Sequence, residues 1–131
     1  QDINLSGRRI LLAEYNELNW EVARELLSDL GVELDWAEDG RICVDKFQTA
    51  PQGYYDIILM DIRMPHMTGY EATQAIRGLD HPDALSVPII AMSADAFSDD
   101  IQHCLDCGMN AHIAKPIDIM ELTRLLKRYF V

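Results

Sequence analysis

Basic residues are scarce in this chain: 11 Lys and Arg stand against 22 Asp and Glu, for a net charge of −11. Nucleic-acid binding is driven largely by cationic side chains on phosphates, so no nucleic-acid partner is expected. An anionic membrane surface is disfavoured for the same reason, and no direct membrane contact is expected. Long apolar runs are also missing. No stretch approaches the roughly 18 residues that a membrane helix needs, and there is no signal-peptide pattern. Cysteine is limited to Cys43, Cys104 and Cys107. An odd count without a secretory signal fits a reducing compartment, and a cytoplasmic location is expected. Cys104 and Cys107 have C-x-x-C spacing, but two further zinc ligands at matching spacing are lacking. The pair also precedes Gly108 at a helix end, whereas reactive thiolates sit at helix starts. It reads as small apolar packing. G-x-G-x-x-G and P-loop patterns are absent.

What is present is a regular alternation. Continuous apolar runs at Ile10–Ala13, Ile57–Met60 and Pro88–Met92 have the form of parallel strands covered on both faces. Glu33–Ala37 and Ala111–Ala114 are shorter candidates nearer the sheet edges. Helices are expected between them. Asn16 caps one with a stripe of Leu18, Val22, Leu26 and Leu30, ended by Gly31. Val44 and Phe47 mark the second, stopped near Pro51. Thr68 caps the third, which carries Tyr70, Ala72, Thr73 and Ile76. Ser98 caps the fourth, with Ile101, Cys104 and Leu105 inward. Asp118 and Glu121 have capping-box spacing for the last, whose stripe is Leu122, Leu125, Leu126 and Tyr129. Five strands alternating with five helices predict a doubly wound α/β fold, a five-stranded parallel sheet with helices on both faces. Residues 1–7 are expected to be a polar linker and 8–131 the domain. Arg77–Ser86 is expected to be a flexible loop. The first residue, Gln1, is not Met, and the chain is expected to be a segment of a longer protein.

In open α/β sheets ligands bind beyond the carboxyl ends of the strands, so the residues that follow each strand carry the functional information. They are Glu14, Tyr15 and Asn16 after the first, Asp61 after the third, Ser93 after the fourth, and Lys115 and Pro116 after the fifth. The second offers only Glu38 and Asp39. Each alone has an ordinary structural use: Asp61 as a turn residue, Ser93 as a cap, Lys115 as a neutralising charge. Their shared edge makes the case for a site. An unpaired carboxylate directly after four apolar residues is costly, which singles out Asp61.

Three segments, Leu11–Asn19, Ile58–Gly69 and Ile113–Pro116, resemble the receiver domains of two-component response regulators, and most closely those of hybrid sensor histidine kinases. The likeness runs from about Arg8 to Arg128. It implies the flavodoxin-like strand order 2-1-3-4-5. It also implies that Asp61 accepts a phosphoryl group from a histidine kinase or a histidine phosphotransfer domain. By the same resemblance Lys115 pairs with Asp61 and then with the phosphoryl group, and Ser93 swings toward the phosphoryl oxygens. Glu14, Asp61 and the main-chain carbonyl of Arg63 serve Mg²⁺. His112 stands at a switch position, and Lys115–Pro116 is a cis peptide bond. The output face would be the fourth helix, fifth strand and fifth helix, roughly Phe97 to Tyr129. The domain itself would be a phosphoacceptor rather than a conventional enzyme, cut from a hybrid histidine kinase whose cytoplasmic part it forms.

Tyr15 departs from the pattern. It stands where the family normally has a second acidic metal ligand, and a phenol of pKa about 10 is a poor ligand for Mg²⁺. Three outcomes are open: Glu14 compensates, Mg²⁺ binds weakly, or the domain is a pseudo-receiver that binds partners without phosphate. Weakened Mg²⁺ binding with Asp61 kept as acceptor is the expectation. Thr68, where the family commonly has Asp, is also a helix cap and changes little. Trp20 lies one turn into the first helix, either near the site or in ordinary surface packing. A flavodoxin-like cofactor enzyme would need a Ser/Thr/Gly-rich phosphate loop after the first strand, where this chain has Glu14-Tyr15-Asn16-Glu17.

Overall fold

The computed structural model describes residues 5–94 and 98–129, with the side chains of 98–101 left aside. The elements are β1 (Arg9–Ala13), α1 (Glu17–Ser28), β2 (Glu33–Ala37), α2 (Gly40–Thr49), β3 (Ile57–Asp61), α3 (Gly69–Arg77), β4 (Ile89–Ser93), α4 (Ser98–Asp106), β5 (Ala111–Ala114) and α5 (Ile119–Tyr129). The five strands form one parallel sheet in the order β2-β1-β3-β4-β5, as expected. No helix among the described residues is long and apolar enough to cross a membrane.

Alternation along each strand divides the core in two. Leu11, Ile58, Met60 and Ala91 face α2, α3 and α4, where Phe47, Ile76 and Cys104 are buried. Ile10, Leu12, Ile57, Leu59, Ile90 and Met92 face α1 and α5, where Leu27, Leu122 and Leu126 are buried. Both faces of β1, β3 and β4 are dry, which is why these strands read as unbroken apolar runs. Leu5, inside the stretch read as a linker, is 3% exposed and belongs to the second cluster.

Three local expectations need correction. The stripe of α1 is rotated: Ala23 and Leu27 are buried with Trp20 and Leu30 beside them, while Leu18 and Val22 are 67% and 50% exposed. Two apolar stripes overlap on this helix, and small Ala23 lets it approach the sheet on the second. Leu105 is exposed rather than inward, while Cys104 in α4 and Cys107 just after it are buried. The Ser98 cap and the inward Ile101 fall on side chains outside the described residues. The Arg77–Ser86 stretch is tied down, because the Arg77 guanidinium donates to the carbonyls of Ala84 and Val87 at 3.0 and 2.8 Å. At the start of α5, Asp118 Oδ1 accepts from the Met120 amide at 2.9 Å.

Gly69 sets the approach of α3 to the site. A Cβ there would lie 2.3 Å from the Asp61 carbonyl oxygen and 2.9 Å from the Ile62 Cα, both backbone atoms that cannot swing aside. The Gly69 amide also donates to Ile62 O at 2.8 Å. Gly69→Ala is therefore expected to cost about 1–3 kcal/mol, the range for overpacking. It should also move the Asp61 amide resonance. Urea denaturation with an amide spectrum checks both, and an unshifted Asp61 signal would contradict the contact.

Candidate functional site

The site lies at the carboxyl edge of the sheet, where three strand ends deliver one charged side chain each. β1 ends at Ala13, and the Glu14 amide still donates to Ala37 O on β2 at 3.0 Å before the chain turns away. The Glu14 carbonyl accepts from Trp36 Nε1 at 2.7 Å. Asn16 then caps α1, its Oδ1 accepting from the Asn19 amide at 3.1 Å, while its own amide donates to Glu14 Oε2 at 3.1 Å. β3 ends at Asp61, whose Oδ1 accepts from the Arg63 amide at 3.3 Å. After β5, the Lys115 amide donates to Ser93 O at 2.8 Å, and the Lys115–Pro116 bond is cis.

These ends bring together side chains 54 and 101 residues apart. Lys115 Nζ donates to Asp61 Oδ2 at 3.0 Å and to Glu14 Oε1 at 2.6 Å. Glu14 is 3% exposed, Asp61 6% and Ser93 5%. One ammonium thus serves two buried carboxylates, which leaves the notch negative. Burial, and then the charge of Glu14, push the Asp61 carboxyl up to about 6, with Lys115 acting in the opposite sense. Burial works against the Lys115 ammonium too, but the two carboxylates outweigh it and its pKa lies above that of a free lysine.

Asp61 binds its proton more tightly when folded than when unfolded, so its contribution is full below about 3.8 and is lost as pH rises through about 6. Stability of the metal-free protein should therefore carry a downward component between about pH 4 and 6, on the order of 1–3 kcal/mol. Urea midpoints across that range, compared with those of Asp61→Asn, check it. Equal slopes in the two proteins would refute it.

The other expected residues are placed as follows. Ser93 ends β4, opposite Ala114, one residue beyond the Asp61–Met92 pair. Arg63 shares the turn that holds Asp61. A cleft of about 420 Å³ opens beside them, lined by Ile62, Arg63, Thr68 and Ser93 and by Tyr70 and His103, which stack at 3.9 Å. Tyr15 points outward and is 59% exposed. His112 is away from the carboxylates, in a hollow shared with Glu121, Arg124, Leu125 and Arg128, and its Nε2 is buried with no hydrogen-bond partner. Among the described residues no three His, Cys, Asp or Glu side chains gather as a metal site. Two buried carboxylates and a main-chain carbonyl nevertheless suit Mg²⁺, which commonly takes one or two carboxylates and completes its shell with water.

Sequence reasoning missed Trp36, on the strand thought to bring nothing beyond Glu38 and Asp39. Trp36 reaches the Glu14 carbonyl and stacks on Trp20 with 5.2 Å between centroids and 3° between planes. The available signal was a large amphipathic ring at the penultimate position of an edge strand.

A family model described as response regulator receiver domain matches residues 10–127. The chain is 37% identical over 122 residues to the peroxide stress-activated histidine kinase mak1 of Schizosaccharomyces pombe, a match covering 92% of this chain and 7% of that protein. It is 40% identical over 125 residues to histidine protein kinase 1 of Candida albicans, covering 92% of this chain and 5% of that one. The chain thus spans a small fraction of the curated relatives it matches. Among solved structures, the receiver domain of the sensor histidine kinase PA1611 from Pseudomonas aeruginosa superposes with a TM-score of 0.84 at 40% identity, covering 95% of this chain and 98% of that one. That structure holds a magnesium ion in its active-site cleft. A sheet in this order, an aspartate at its central strand end and a match over nearly the whole length lead to one assignment: the chain belongs to the response regulator receiver domains.

Proposed function

We propose that Asp61 accepts a phosphoryl group from a phosphohistidine, carried by a histidine kinase or a histidine phosphotransfer domain, and that the acyl phosphate changes a partner-binding face. The observation that carries this reading is the Lys115 ammonium bridging Asp61 and Glu14 across a buried notch. In the transfer, an Asp61 carboxylate oxygen attacks phosphorus and forms a P–O bond. The P–N bond breaks, and its electron pair stays on the imidazole nitrogen. Lys115 turns from the carboxylates to the phosphoryl oxygens, and the Ser93 hydroxyl donates to one of them. Glu14, Asp61 and the Arg63 main-chain carbonyl would hold Mg²⁺, which when bound neutralises charge on the transferring group. Beside the notch, exposed Leu18 and Val22 on α1, with an apolar hollow between Val22, Met92 and Ile117, offer the donor a surface to dock on. The output face is α4, β5 and α5, where the unpartnered His112 Nε2 marks a side chain able to change its contacts. The parent protein is a hybrid histidine kinase with this domain in its cytoplasmic part.

The test is incubation with acetyl phosphate and Mg²⁺ followed by intact mass. Addition of one phosphoryl mass is expected. An unchanged mass at saturating Mg²⁺ favours the second reading, a phosphate-independent interaction module, for which the exposed Tyr15 at the metal edge is the specific observation.

Tyr15 also sets the strength of the metal site. A third carboxylate at that position would add charge and a direct oxygen ligand, so Tyr15→Asp is expected to tighten Mg²⁺ binding by about tenfold or more. Mg²⁺ titration read by intrinsic fluorescence checks this, and equal affinities in the two proteins would remove Tyr15 from the account.

A further inference from the structure

Glu14 is held at both ends of its backbone by one strand. Its amide donates to Ala37 O at 3.0 Å, the last regular rung between β1 and β2. A parallel ladder would next direct the Glu14 carbonyl to an amide beyond Ala37, where β2 has already ended. Trp36 takes that place, donating its indole N–H at 2.7 Å. The chain can then leave the sheet at Glu14 without stranding a carbonyl, and the peptide after Glu14 is fixed in direction. Trp36 is itself secured. Its ring lies flat on Trp20, its carbonyl accepts from Lys46 Nζ at 2.6 Å, and the Trp20 amide donates to Asn16 O at 3.0 Å in the first turn of α1. The turn at residues 14–16 is thus gripped from β2 on one side and from α1 on the other.

We propose that Trp36 is a positioning residue for Glu14: its indole N–H fixes the peptide that follows Glu14 and so aims the carboxylate at Lys115 and the metal side of the notch. This rests on the phosphoacceptor reading for its functional meaning, and the geometry can be tested without it. A ring that only packed would matter through its area, and Trp20 and Trp36 would then be equivalent. A positioning donor makes them different.

Two variants separate these cases. Trp36→Phe keeps an aromatic face for Trp20 and removes the donor, whereas Trp20→Phe keeps the donor and alters the stack. In metal-free protein the Asn16 amide, which donates to Glu14 Oε2, should exchange with solvent about tenfold faster in Trp36→Phe. It should stay within about twofold of the unaltered protein in Trp20→Phe. With Mg²⁺ as the probe, the dissociation constant should rise about tenfold in Trp36→Phe alone, as for other residues that orient metal ligands. The benzothiophene isostere of tryptophan at position 36, with the ring kept and the donor gone, should behave as Trp36→Phe does. Unchanged Asn16 exchange in Trp36→Phe, or equal acceleration in both variants, overturns the proposal. If the unaltered protein takes up neither Mg²⁺ nor phosphoryl groups, the functional reading fails, and the exchange comparison still decides the role of Trp36.

Discussion

Asp61→Asn is expected to take up no phosphoryl group from acetyl phosphate under conditions that label the unaltered chain, and to be more stable than it in the absence of metal at neutral pH. The first effect is a matter of chemistry. A carboxamide oxygen is far less nucleophilic than a carboxylate oxygen, and the product would be no acyl phosphate. The second effect comes from placement. Asp61 is 6% exposed beside a second carboxylate, and its ionisation is opposed by burial and by Glu14. An amide keeps an oxygen acceptor for Lys115 and removes one of two buried negative charges. A gain on the order of 1–3 kcal/mol is expected at pH 7.5. Intact mass and urea denaturation on the same samples read both effects. Phosphoryl uptake by Asp61→Asn would place the acceptor elsewhere, and a loss of stability would mean that Lys115 more than compensates Asp61 in the native protein.

Arg77→Ala should be among the most destabilising single changes in the domain, costing about 3–5 kcal/mol and lowering the melting temperature by roughly 10–20 °C. The half-buried guanidinium at the end of α3 spends its donors in three directions. Nε and Nη2 donate to Gly108 O at 3.1 and 2.9 Å, Nη1 to Ala84 O and Val87 O, and Nη2 to Asn110 Oδ1 at 2.9 Å. The Asn110 oxygen in turn accepts from the Ile89 amide at 2.9 Å, at the first residue of β4. A single side chain therefore joins α3, the connection into β4 and the turn into β5. Truncation strands several carbonyl groups around Ala84 and Val87, which are 2% and 4% exposed. Arg77→Lys should recover only a small part of the loss, since one ammonium cannot reproduce a planar fork of donors. A loss under about 1 kcal/mol for Arg77→Ala would show that water replaces these bonds at little cost.

The three inner strands were legible because burial on both faces leaves no choice but continuous apolar runs, and all five strands appear within a residue of their expected ends. Asp61 and Lys115 were legible as a pair for a related reason: each stands at the carboxyl end of an expected strand, and strand ends in one sheet share an edge. The face of α1 was not legible. Leu18, Val22, Leu26 and Leu30 satisfy helical spacing as well as Trp20, Ala23, Leu27 and Leu30 do, and only the fit of Ala23 against the sheet and of Trp20 on Trp36 decides between them. The Arg77 clamp and the Trp36 hydrogen bond were hidden because their acceptors are backbone carbonyls, which every residue has and no pattern marks. The direction of the Asp61 shift needed burial as well as neighbours, since its partner Lys115 alone argues for the opposite sign.

The strand order leaves β2 and β5 as the two margins of the sheet, and each is poorly suited to recruit another chain. Along β2 the side chains of Glu33 and Asp35 are engaged by Arg9, at 3.1 and 3.7 Å, so a foreign strand approaching there would have to settle against fixed charge. β5 is only four residues long and runs directly into Lys115 and Pro116, whose ring carries no amide hydrogen to extend a ladder. Copies of the domain crowded together should therefore resist sheet-to-sheet polymerisation, and remain separate units at concentrations where unguarded α/β margins would begin to aggregate.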